Sequence, residues 1–270
     1  MTTEQATPVV AIASRKGGTG KTTLALALAD YLGTDERPAL VIDLDPQGGS
    51  TAFLADPSAV HTGLRDRLAG SIENPIPELA LPCPERAHVR IVPASPELEF
   101  AAGHAAEVGL VDDVAVEFSQ ALEASDLSGF ACVIIDCPPA GNALMRAALL
   151  GAEHVAAPIE PGLGSLSGLS TVQKAVAKIQ RRRGGLPHIA AAVRLRWAAR
   201  TRFASELDEA LQAELGEALA PVAIPSSVRV PEAQAQRATL AEVYPREAVT
   251  EATREACAWV AGRVGLEVQR

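Results

Sequence analysis

Aromatic side chains are scarce in this sequence: five Phe, two Trp and two Tyr make up 3% of the chain. So few rings leave little platform on which unpaired bases could stack, which argues against single-strand binding and against base reading. Cysteine is rarer still. Cys83, Cys132, Cys137 and Cys257 show no metal-ligand spacing, and two of them flank an apolar run, so they read as reduced core thiols. No apolar stretch reaches the ~18 residues that a membrane helix needs, and nothing near Met1 reads as a secretory signal, so a cytoplasmic protein is expected. Acidic residues are in excess overall, with a net charge of −9, yet Asp and Glu are missing from Pro161 to Ser205. There Lys174, Lys178, Arg181, Arg182, Arg183, Arg194, Arg196, Arg200 and Arg202 stand unopposed, one basic region on an acidic molecule.

What is present points to phosphate. The chain has 270 residues, 48% of them hydrophobic, which suits one large core. We expect a single α/β domain over 9–264, preceded by a polar leader at 1–8 and followed by a short tail at 265–270. The apolar run Val9 to Ser14 reads as a strand that enters Arg15-Lys16-Gly17-Gly18-Thr19-Gly20-Lys21-Thr22-Thr23 and then a helix to about Leu32. Glycines at 17, 18 and 20 let successive N–H groups converge on one point, and the helix aims the positive end of its dipole there. Lys21 would reach the β- and γ-phosphates of a nucleoside triphosphate, and the Thr22 hydroxyl would join the shell of a magnesium ion. The common pattern G-x-x-x-x-G-K-[ST] is missed at one place, because Arg15 stands where its first glycine belongs.

Two further apolar runs end in acids. Ala39 to Gln47 reads as a buried strand closing on Asp43 and Asp45, which would face the same side if the strand continued; Asp45 could alternatively cap the following turn. Phe130 to Asp136 ends in a single carboxylate, the Walker B pattern in which an acid holds magnesium, often through water. Strands at Val89–Val92, His154–Ile159 and about 189–195 alternate with helices at about 112–124, 167–183, 202–217 and 249–264. That alternation predicts a doubly wound, mostly parallel sheet with the strand C-termini gathered around the ligand. Residues 57–90, rich in proline, are expected to be loops and short peripheral helices.

Lys16-Gly17-Gly18-Thr19-Gly20-Lys21-Thr22, with its second lysine five residues before Lys21, resembles the deviant Walker A motif of the ParA/MinD class of ATPases. Asp43-Leu44-Asp45-Pro46-Gln47 is similar to that family's D-x-D-P-Q segment. Pro138-Pro139-Ala140-Gly141 is similar to its switch, and Ile224-Pro225-Ser226-Ser227-Val228-Arg229 to its I-P-x-x-V-R segment. The resemblance covers nearly the whole chain and is closest to small ParA (Soj-like) partitioning ATPases without an added helix-turn-helix. It implies a nucleotide site of Lys16, Gly17, Gly18, Thr19, Gly20, Lys21, Thr22, Thr23 and Pro225, with magnesium held near Thr22, Asp45 and Asp136. It also implies that Asp45 positions the attacking water and that two subunits sandwich two ATP molecules, with Lys16 of each reaching the other's phosphates. The partner it implies is a ParB-like adaptor that stimulates hydrolysis.

By the same resemblance, Arg200 in Ala199-Arg200-Thr201 and Arg229 are expected to contact DNA; Arg202, Arg181, Arg182 and Arg183 are added on charge and spacing alone. Lysine and arginine contacts to phosphates give sequence-independent, salt-sensitive affinity, so the expected ligand is duplex DNA and the expected location the nucleoid. Gly265 to Arg270 offers neither bulk nor charge for the basic amphipathic anchor of a MinD-like membrane-cycling ATPase. The cysteines do not suit a cluster-bridging iron-protein-like reductase. A ParA-like ATPase that positions some cargo other than DNA would carry the same motifs, and that reading stays open.

Overall fold

The computed structural model describes residues 6–99, 111–139, 141–198 and 201–266. Eight strands form one sheet: β1 (Val9–Ile12), β2 (Ala39–Asp43), β3 (Leu81–Cys83), β4 (Arg86–Val92), β5 (Cys132–Asp136), β6 (His154–Ile159), β7 (His188–Trp197) and β8 (Leu219–Pro225). Their spatial order is β3-β4-β2-β5-β1-β6-β7-β8, and every pairing is parallel except β3 with β4. The chain leaves β1 for β2 and β4, returns to β5 between β2 and β1, then passes β1 to build β6, β7 and β8. The winding therefore reverses at β1, the place where open α/β sheets bind their ligands.

Helices cover both faces: α1 (Lys21–Leu32), α2 (Gly49–Leu54), α3 (Gly63–Leu68), α4 (Val111–Glu123), α5 (Ala143–Gly151), α6 (Ser165–Gln180), α7 (Arg202–Leu215), α8 (Arg229–Ala235), α9 (Leu240–Val243) and α10 (Ala248–Arg263). The period-2 geometry of a strand divides its side chains between the two layers. Ala11, Leu40, Ile42, Val133 and Ile135 enter one core with α3, α4, α5 and α6. Val10, Ile12, Val41, Cys132 and Ile134 enter the other with α1 and α10. The central strands are thus apolar without a break because neither face sees water. A third, smaller core gathers Ile159, Leu169, Ala192 and Trp197 under Leu207 and Leu211 of α7.

The expected elements are present within a few residues, and the structure adds several. Within 57–90 it contains β3 and the first half of β4 as well as a short helix. Arg86 hid that strand: its charge interrupts the apolar pattern, yet it is buried, paired with Glu242 at 2.7 Å and set over the Phe53 ring at 5.0 Å. Helix α5 is capped by Asn142, whose Oδ1 accepts the Met145 N–H at 2.8 Å, a capping signal the sequence did carry. Short α2, α8 and α9 had no periodicity to reveal them. Among the described residues no helix is long and apolar enough to cross a membrane.

Candidate functional site

Between β1 and α1 the backbone turns through Gly18 at φ 75° and Gly20 at φ 82°, left-handed values that a side chain would strain. Gly20 has a second reason to be bare: a Cβ there would lie 2.5 Å from Leu195 Cδ1 at the end of β7. The turn is braced from within. Thr19 is buried, its hydroxyl lies 2.5 Å from that of Ser14, and it donates to Lys16 O at 3.2 Å. Lys21, only 6% exposed, sends Nζ back to Lys16 O at 3.4 Å, so a buried ammonium is held directly under the loop. The Lys16 side chain is exposed and borders a separate cleft of about 420 Å³ walled by Glu160, Pro161 and Gly164.

Asp136 ends β5 beside β1 and accepts two hydroxyls on Oδ2, from Thr22 Oγ1 and Ser50 Oγ, both at 2.8 Å. Its Oδ1 is buried and has no hydrogen-bond partner among the described residues. An acceptor shut away from water without a donor is costly, and a hard cation bound beside Thr22 is the chemistry that relieves it. Burial pushes the Asp136 carboxyl up to about 6, against the hydroxyl bonds and the Lys21 charge that favour the anion. The residues present therefore fit a magnesium ion held by Thr22 and Asp136.

Asp43 and Asp45 part company, because β2 stops at Asp43. Asp43 is buried and occupied: Oδ2 accepts both Thr51 N and Thr51 Oγ1 at 2.8 Å, and Oδ1 accepts Asp45 N at 3.1 Å. Burial raises its carboxyl, and the neighbouring Asp136 charge adds to the shift. Asp45 sits in the following turn, where Oδ1 accepts Gln47 N at 3.0 Å, and it faces a cleft of about 570 Å³. Gly17, Lys21, Thr22, Pro139 and Arg196 line the same cleft. Thr23 also lines it and accepts Gln234 Nε2 at 3.1 Å. Pro225 ends β8 opposite Trp197 and is not part of that lining.

The arginines expected at DNA fall into two groups. Arg202 opens α7 and pairs with Glu206 at 2.8 Å; Arg229 opens α8, pairs with Glu232 at 2.9 Å and lies over the Tyr244 ring at 4.7 Å. Both follow strand C-termini, on the rim that holds the phosphate loop. Arg181, Arg182 and Arg183 come at the far end of α6, at the opposite rim, where Arg183 donates to Ala152 O at 2.6 Å. Arg200, like Ala140 of the switch, lies outside the described residues. All four cysteines are free and buried, and burial raises the Cys132 thiol to about 12.

Reading of the sequence missed Ser50, Arg196 and Gln234. No spacing rule finds Ser50, which meets Asp136 only because β2 and β5 are neighbours. Arg196 was legible as charge alone; its place against the loop depends on a break in the β7–β8 register.

Comparison with known proteins follows the same lines. A model of the AAA domain family, AAA_31, matches residues 7–186. The chain is 30% identical over 258 residues to the chromosome-partitioning ATPase Soj of Thermus thermophilus, covering 94% of this chain and 96% of that one. It is 31% identical over 227 residues to the chromosome partitioning protein ParA of Caulobacter vibrioides, covering 83% of each. Among solved structures, the ATP complex of a Cyanothece McdA variant shares the fold, with a TM-score of 0.81 and 23% identity over 98% of both chains. A phosphate loop at the winding reversal, a buried acid at the end of β5 and relatives matching along nearly the full length lead to one assignment: the chain belongs to the ParA/MinD class of AAA-domain ATPases, in its Soj-like branch.

Proposed function

We propose that the protein is a partitioning ATPase that binds Mg·ATP, pairs into a nucleotide sandwich, holds duplex DNA without regard to sequence, and lets go when a ParB-like adaptor stimulates hydrolysis. The observation that carries this reading is the buried Asp136 Oδ1, without a hydrogen-bond partner among the described residues, on the carboxylate that accepts the Thr22 hydroxyl one residue from the buried Lys21. Thr22 and Asp136 would hold a magnesium ion, which would supply positive charge to the phosphates of the nucleotide. Lys21 supplies the fixed positive charge under the phosphates, and the loop N–H groups orient them. Asp45, at the mouth of the cleft, accepts a hydrogen bond from the attacking water and aims it. Lys16, exposed beside the neighbouring cleft, is free to reach the phosphates of a second subunit.

DNA contact falls to Arg200, Arg202 and Arg229 on the strand-end rim and to Arg181, Arg182 and Arg183 at the other end of α6. Pairing doubles the number of phosphates one particle can neutralise, so ATP sets DNA affinity through oligomeric state. Lys21→Ala is expected to abolish ATP-dependent dimer formation in light scattering. Asp45→Ala is expected to dimerise and retain ATP without turnover. Normal hydrolysis by Asp45→Ala would remove that residue from the mechanism, and an ATP-independent mass for the native protein would remove the sandwich.

A further inference from the structure

The end of β7 reaches the phosphate loop twice, and the second contact is not explained by packing. Leu195 presses against Gly20, as described. One residue on, Arg196 takes φ 53°, a left-handed value rare for a residue with a side chain. The β7–β8 register breaks at this place: Arg194 pairs with Ala223 and Trp197 with Pro225, so three steps along one strand face two along the other. Such a bulge turns a side chain out of the direction the pleat would give it, and strain of this kind collects where it serves a site.

The redirected guanidinium spans two elements. Nη2 donates to Gly18 O at 2.6 Å, and Nε lies 2.8 Å from Glu160 Oε1 at the end of β6, an ion-pair contact rather than an aligned hydrogen bond. The Gly18 Cα faces open space, with nothing within 4 Å of where a Cβ would stand, so no side-chain packing on that side fixes the peptide. In a planar trans peptide the carbonyl of one residue and the N–H of the next point to opposite sides. Fixing Gly18 O toward Arg196 therefore fixes Thr19 N–H in the reverse direction, while the Thr19 side chain is anchored to Ser14 and Lys16 O.

We propose that Arg196 is a positioning residue for the nucleotide: it sets the orientation of the Gly18–Thr19 peptide so that its N–H is committed to the β-phosphate before the ligand arrives, with Glu160 holding the guanidinium in place. The proposal rests on the nucleotide reading above, and it separates Arg196 from residues that act on the γ-phosphate or on the base. Any ligand with a β-phosphate gains from the preset peptide, whereas the chemical step does not.

Titration calorimetry of Mg·ADP, of Mg·ATP on the Asp45→Ala background and of Mg·GTP, together with steady-state hydrolysis, tests this. Arg196→Ala is expected to weaken Mg·ADP and Mg·ATP alike by roughly tenfold, the worth of one hydrogen bond from a charged donor. Saturated turnover should stay within about twofold and the preference for ATP over GTP should be unchanged. Arg196→Lys, which reaches Gly18 O but cannot fork to Glu160, should recover part of the loss, and Glu160→Gln should show a smaller loss of the same kind. Unchanged affinity in Arg196→Ala overturns the proposal. So does a fall in saturated turnover alone, which would place the residue in the chemistry, or a lost ATP preference, which would place it on the base. Failure of the native protein to bind Mg·ADP would instead sink the nucleotide reading, and this proposal with it.

Discussion

Gly20 combines a left-handed backbone with a side-chain site already filled by Leu195, two independent objections to any substitution. Gly20→Ala is expected to cost about 1–3 kcal/mol of stability and to weaken Mg·ADP binding. Leu195→Ala in the same chain should restore only the part due to the clash, so melting of the single and double variants separates the two causes. At the other rim, His154 Nδ1 and His188 Nε2 lie 3.1 Å apart. Burial, and then the charge of His188, hold the His154 imidazole down near 4 against an ordinary value of 6.5. The unfolded chain therefore takes the proton first. The contribution of this histidine to stability is full above about pH 6.5 and falls as pH drops toward 4. A His154→Gln variant should flatten that slope in melting curves taken across the interval.

Motif logic placed Lys21 and Thr22 because a strand, a glycine turn and a helix start fix their places within a few residues of sequence, and it placed Asp136 at the end of an apolar run; the structure brings Thr22 and Asp136 into contact. Ser50, Thr51 and Arg196 were out of its reach, since each acts across a strand boundary that only the folded sheet creates. Asp43 and Asp45 show the intermediate case. Their spacing was read on a continuing strand, and the turn that begins after Asp43 gave one to the interior and the other to the cleft.

Among the elements, α8 ties the cleft to the segment that follows β8. Gln234 donates to Thr23 Oγ1 at 3.1 Å, and just beyond the helix Arg237 donates to Phe53 O at 3.2 Å and to Ala55 O. Those carbonyls close α2, the helix whose first turn supplies Ser50 to Asp136 and Thr51 to Asp43. Arg229 sits at the start of α8, so the segment proposed to contact DNA and the helix that braces Asp43 and Asp136 are mechanically joined. Arg237→Ala should raise amide exchange across 49–55 and weaken Mg·ADP a few-fold, while exchange in β1 and β5 stays unchanged. Long amphipathic helices such as α6 were plain in the sequence because Leu169, Val172, Val176 and Ile179 repeat at helical spacing. Helices of four to seven residues such as α8 and α9 are held by tertiary contacts, which leave no periodic trace.

At the scale of the whole molecule, parallel topology sorts function by rim. Helix α6 has 16 residues and returns antiparallel to the strands, a run of about 24 Å that separates Arg202 and Arg229 from Arg181 and Arg182. The two groups are expected to hold separate stretches of duplex, so their contributions should add. With ATP present, Arg202→Ala with Arg229→Ala should lower the salt dependence of DNA retention by about 2 in log–log slope, and Arg181→Ala with Arg182→Ala by a further, independent amount. Non-additive losses in a gel shift across salt would mean one continuous footprint instead.

The sheet's two outermost strands have a property that bears on the proposed pairing of two copies. β3 carries Pro82 at its middle, and β8 carries Pro221 and Pro225. Proline has no N–H to lend an incoming strand, and β3 is only three residues long besides. Both margins are thereby poor templates for an incoming strand, so the pairing proposed above would fall to the rim that carries the glycine loop, where association can be undone.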